Sequence, residues 1–181
     1  MGNDPATFDS AAAVTRSLLG WGVVAGPFYV VLGLTLALTR SGFDLSEHAL
    51  SLLMLGEHGW LQRLNLVLSA LMVLAAAVGI LRAVRTGQGL AMGTLTFTYG
   101  VCLALSALFR PDPVDGFPAG STAGTTSTGG TLHIVFGAIG FVCFAAAAIA
   151  YSRWATGRGE VAASRFGLAC GSVILVGFAG G

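Results

Sequence analysis

Five stretches of the chain contain no Asp, Glu, Lys or Arg: 17–39, 64–81, 86–109, 131–152 and 166–181. As an α-helix the first would reach about 34 Å, against a hydrocarbon core of about 30 Å. Lipid cannot satisfy exposed backbone groups, so only helices and closed barrels cross it. Barrel strands alternate apolar and polar residues over about ten positions. These runs are apolar all round, as in Leu71-Met72-Val73-Leu74-Ala75-Ala76-Ala77-Val78. The expected fold is therefore all-α, a polytopic transmembrane helix bundle with about five spans. It forms one integral-membrane domain over 1–181, with no soluble domain inserted.

Composition excludes the competing classes. Of 181 residues, 55% are hydrophobic and 9% charged, where soluble domains carry about 25% charged residues. Mean hydropathy is +0.82. A net charge of +1 with no basic cluster rules out disorder, a coiled coil and nucleic-acid binding. All nine basic residues are Arg, which together with abundant Ala and Gly points to a GC-rich bacterial genome. Cys102, Cys143 and Cys170 lie inside apolar runs and read as small packing residues, with neither disulfide nor metal-ligand spacing.

The first run is not a cleavable signal. Its leader carries Asp4 and Asp9, it exceeds a signal core of about 7–15 residues, and no A-x-A site follows. Met1-Gly2 is followed by Ala6, not the Ser or Thr of a myristoylation signal. The fifth run is short for a full span, as expected if the chain stops inside or just after its fifth helix as a fragment of a longer protein.

Arginine sets the orientation. With a cytoplasmic N-terminus, Arg16, Arg82, Arg85, Arg153, Arg158 and Arg165 fall inside, and Arg40, Arg63 and Arg110 outside. The expected location is the cell membrane, multi-pass, N-terminus cytoplasmic. Trp21, Trp60, Tyr151 and Trp154 lie near span ends, where amphipathic rings anchor. Small residues four apart, at Gly22/Gly26, Ala75/Gly79 and Gly167/Gly171, permit close helix approach.

This topology collects His48, His58 and His133 outside, with Asp44, Glu47, Glu57, Asp112 and Asp115. The first external segment, 40–63, has an apolar middle at 49–55. It reads as a short interfacial or re-entrant helix at the membrane surface, capped by Asp44 or Ser46 and stopped at Gly56. The second, 110–130, begins with the stiff Arg110-Pro111-Asp112-Pro113, turns at Asp115-Gly116-Phe117-Pro118 and continues as a Gly/Ser/Thr/Ala stretch, expected to be flexible.

Several chemistries lack their pattern. Glu47-His48 and Glu57-His58 do not form H-E-x-x-H. Glu47, His48, Asp112 and His133 are chemically able to hold Zn²⁺, but no spacing supports a metal site. Haem ligation needs a second histidine facing His133, and Ser46 or Ser51 lacks a nucleophile motif. No span carries a charge at its midpoint, which disfavours charge-coupled transport. No metal or cofactor is expected.

Two segments carry a resemblance. The first holds His48, Ser51, Leu52, Leu53, Gly56, Gly59 and Trp60, with Gln62 and Asn65 beyond; the second holds Phe109, Asp112, Pro113, Gly116, Phe117, Pro118 and Gly120, with His133 opening the fourth span. In this order they resemble a bacterial integral-membrane family, the domain-of-unknown-function family nine-nine-eight. The resemblance covers most of the chain after Gly20. It implies a six-span bundle, of which five spans are present here, and it implies no activity. Members often carry Trp-His before the fourth-span histidine, where this chain has Thr128-Gly129-Gly130.

The two loops are expected to meet above the bundle as a polar cap of Glu47, His48, Ser51, Arg110, Asp112, Asp115 and His133, with His48 bonded to Asp112 and Arg110 paired with Glu47. The favoured function is non-enzymatic: binding membrane lipid, a membrane-protein partner or a second copy of the chain through this external cap. The alternatives are a lipid-active enzyme using His48, Asp112 and His133 as acid–base groups, and a small transporter component.

Overall fold

The computed structural model describes residues 9–114, 116–121 and 125–180. It is all-helical. The elements are α1 (Ser10–Thr39), a short 3-10 helix η1 (Leu50–Met54), α2 (Gly59–Ala83), α3 (Gly87–Leu108), α4 (Thr128–Gly157) and α5 (Val161–Gly180). All five α-helices are long and apolar enough to cross a membrane, and the protein is a multi-pass membrane protein.

Four of the five helices run past their charge-free stretches, α1 by seven residues and α2 by five at the N-terminal side, while α3 stays inside its own. A charged residue ends an apolar run without ending a helix, because the long Arg stem reaches back to headgroup depth. Polar caps mark several starts. Asp9 accepts from the Ala12 N–H, Thr86 from Gly89 and Ser127 from Gly130, at 2.9–3.1 Å. Each satisfies one of the orphan donors of a helix N-terminus.

Each helix packs against its neighbours in sequence: α1 on α2, α2 on α3, α3 on α4 and α4 on α5. Among the described residues α1 does not touch α4 or α5. The row thus curves into an open arc. Small residues set the close approaches. Gly22 lies against Ala76 and Gly79 against Leu19 at the α1–α2 crossing, while Gly167 and Gly171 lie against Tyr151 and Ala145 between α4 and α5. Gly26 meets no other helix.

The two ends of the arc differ. At one, here the arginine end, α1 starts, α2 passes to α3, and α4 passes to α5 through Arg158, Gly159 and Glu160. A hydroxyl chain Ser152–Ser164–Thr156, at 2.9 and 2.8 Å, ties that last turn. At the other, the cap end, the long segments after α1 and α3 come together.

The apolar segment 49–55, expected as a short interfacial or re-entrant helix, holds the short helix η1, and Leu52, Leu53 and Met54 are buried against the protein itself. η1 packs on α1 and α2, and Phe117 from the second loop covers it. Neither Asp44 nor Ser46 caps it. Its N-cap is Ala49, which makes no side-chain bond, and Asp44 instead folds back on Ser46, accepting from its N–H and hydroxyl at 2.8 and 2.6 Å. These bonds hold the Asp44 carboxyl below the usual carboxylate range. Gly56, at φ +68°, ends the segment as expected.

Candidate functional site

The cap is built around two helix ends. A helix leaves its last four carbonyls without an internal donor, and lipid supplies none. At the C-terminus of α3 each is accounted for. Phe109 N–H reaches Leu105 O at 3.2 Å. His133 Nδ1, from the second turn of α4, lies 2.9 Å from Ser106 O and 3.0 Å from Phe109 O. Arg63, from the second turn of α2, donates Nε–H to Ala107 O at 2.7 Å and Nη2–H to Leu108 O at 3.0 Å. Both neighbours of His133 Nδ1 are carbonyls, which only accept, so the Nδ1 proton sits on that nitrogen. The Arg63 guanidinium also places positive charge where the α3 dipole is negative.

The second end is the start of α4. The Asp112 carboxylate accepts from the Ser127 N–H at 2.8 Å, one residue before the helix begins. The Ser127 hydroxyl and N–H hold the Asp112 carboxyl below the usual carboxylate range. The approach is close enough that a Cβ at Gly130 would displace this carboxylate. Asp112 is therefore engaged by Ser127 rather than by His48, as had been expected.

His48 lies in an aromatic pocket. Its ring is buried and stands 5.2 Å from Phe43 and 5.4 Å from Phe117, which themselves meet edge-to-face at 5.2 Å. Its Nδ1 accepts the Asp44 N–H at 2.9 Å. Phe117 is 1% exposed. The two loops do meet, and among the described residues Phe117 joins them by aromatic contact with Phe43 and His48.

The remaining expected residues stand apart. Glu47 and Arg110 are exposed and Ser51 is half-buried in η1. Among the described residues the single ion pair is Arg158–Glu160, so the Arg110–Glu47 pair does not form. Asp115 lies outside the described residues. No three His, Cys, Asp or Glu side chains converge on a metal-sized site among the described residues.

Sequence reasoning missed two features. Arg63 was counted only for orientation. Its signal was a cation bordering an apolar span, where burial calls for hydrogen-bond acceptors from elsewhere in the chain. The other is a band of uncharged polar side chains on one face of α2, with Gln62, Asn65 and Ser69 all at or below 2% exposure. Asn65 Nδ2 donates to Gln62 Oε1 and to Tyr29 O of α1, both at 3.1 Å. Gln62 Nε2, Asn65 Oδ1 and Ser69 Oγ have no hydrogen-bond partner among the described residues.

With this geometry in view, comparison with known families gives a match to the family model "Protein of unknown function (DUF998)" over residues 23–181. The chain belongs to the DUF998 family. Neither the curated proteins nor the solved structures return a match. Family membership agrees with the resemblance drawn from the loop motifs. Six of those motif residues build the cap: His48 and Phe117 in the aromatic pocket, Leu52 and Leu53 beneath it, Asp112 and His133 at the helix ends.

Proposed function

We propose that this DUF998 protein is a non-catalytic, multi-pass protein of the cell membrane, with its N-terminus in the cytoplasm, that binds membrane lipid between its helices. The observation that carries this reading is the open arc. Because each helix packs only on its neighbours in sequence, the concave side is left as a cleft of about 640 Å³. All five helices line it, with Leu19, Ile80, Met92, Phe144 and Cys170 as one residue from each. That volume is within the usual range for small-molecule sites, and so is the mainly apolar lining.

The cap supports the non-catalytic part. An acid–base group needs a reacting atom within hydrogen-bond reach. His133 Nδ1 and the Asp112 carboxylate instead reach backbone groups at helix ends, and His48 Nδ1 reaches the Asp44 N–H. Binding is therefore assigned to the cleft and not to the cap. The arginine count favours the stated orientation, and cysteine labelling of intact cells at positions 127 and 158 tests it.

The lipid reading is tested by native mass spectrometry of the protein released from membranes in mild detergent. A stoichiometric lipid adduct is expected, and Ala148→Phe, which places a ring inside the cleft, removes it. A bare protein, or an adduct unchanged by Ala148→Phe, would overturn the assignment.

A further inference from the structure

The apolar cleft has a charged neighbour. A second cavity of about 450 Å³ opens at the arginine end between α1 and α2. Leu19 and Ala83 line both cavities, so the two adjoin. The second one carries the charge. Arg16, Arg82 and Arg85 line it, with Asp9 as its one carboxylate.

The charges there are unequal. Asp9 caps α1 through the Ala12 N–H at 3.0 Å. Arg82 is held by its Nε–H on Thr15 Oγ1 at 3.1 Å, which fixes the guanidinium across the α1–α2 seam and leaves its terminal amino groups as further donors. Arg158, at the far rim of the apolar cleft, already pairs with Glu160 at 2.9 Å and stacks on Trp154 at 4.9 Å. The three arginines of the smaller cavity have no such compensation: the single ion pair among the described residues is that of Arg158.

We propose that these adjoining cavities bind one anionic phospholipid, its phosphate headgroup among Arg16, Arg82 and Arg85 and its acyl chains in the apolar cleft. This rests on the lipid reading above and adds the headgroup class. The complementarity is specific in kind: guanidinium groups are suited to bidentate phosphate contacts, and basic pockets between transmembrane helices on the cytoplasmic side are suited to anionic headgroups. A zwitterionic headgroup would bring its own cation among the three arginines.

The test uses the full chain in detergent, titrated with phosphatidylglycerol or phosphatidylcholine of identical acyl chains and followed by native mass spectrometry. Wild type is expected to retain phosphatidylglycerol at least tenfold more tightly. Arg82→Gln/Arg85→Gln brings the two lipids to parity, and Arg16→Gln, at an exposed position, reduces the preference without touching the Arg82–Thr15 contact. Inorganic phosphate at millimolar concentration leaves the adduct in place if the acyl chains contribute; displacement by phosphate alone would assign the site to a free anion and overturn the lipid form. Equal retention of both lipids by wild type, with loss in Ala148→Phe, overturns the headgroup assignment and keeps the lipid reading. No retention of either lipid overturns both.

Discussion

Arg63 and His133 hold the same helix end from opposite sides. One comes from α2 and the other from α4, and between them they donate to Ser106, Ala107, Leu108 and Phe109 at the end of α3. Three helices are thereby fixed in register by two side chains.

Arg63→Met keeps the length of the side chain and removes both donors. It is expected to lower stability by about 1.5–3 kcal/mol, the range for hydrogen bonds to a charged group, in reversible unfolding from micelles. Arg63→Lys recovers only part, because a single ammonium does not reproduce the two-pronged geometry.

His133→Ala strands Ser106 O and Phe109 O and is expected to cost about 1–3 kcal/mol. His133→Asn can present an N–H near the Nδ1 position and should recover much of that loss. If Ala and Asn variants unfold alike, the capping role assigned to His133 is wrong.

The Asp112 contact has a pH signature. A carboxyl whose pKa is lower in the folded chain stabilises the fold above its unfolded pKa, about 3.9. That contribution is lost as the pH falls through the lower folded value. Asp112→Asn is therefore expected to melt below wild type at neutral pH, with the gap closing as the solution is acidified below about pH 4. A gap that persists at low pH would mean that the charge is not what Ser127 recognises.

Phe117→Ala empties the pocket shared with Phe43 and His48. A loss of about 3–5 kcal/mol is expected, together with exposure of η1 to protease. Protection of η1 in this variant would show that the first loop closes without the second.

Ser69 offers the opposite case. Its hydroxyl is buried with no partner among the described residues, so Ser69→Ala should leave stability level or raise it by about 1 kcal/mol. A clear loss would reveal a bound group at the Gln62–Asn65–Ser69 band.

The helices were legible because lipid leaves the chain so few options: a charge-free run long enough to span must be helical. Their ends were less so. Arg63 interrupts the apolar run before Leu64, yet the chain stays helical through it because the side chain finds acceptors 44 and 45 residues away. The gathering of His48, Asp112 and His133 at one end followed from topology. Their partners did not, since the bonds of Asp112 and His133 join residues 15 to 27 apart in the chain. The cover over segment 49–55 was hidden for the same reason: its apolar side chains pack under Phe117, more than 60 positions later.

The strictly sequential order of helix contacts bears on biogenesis. A transmembrane helix leaving the ribosome can pair only with what is already in the bilayer. Here each new helix finds a partner in the one inserted just before it, so none arrives without a neighbour to pack on. Such local wiring favours rapid assembly and lets the arc be laid down in the order of translation. The second loop alone departs from this order, since Phe117 and Asp112 seal elements made before and after it. Closure of the cap is thus the late step, and α3 can be seated before α4 arrives to bring His133 to its end.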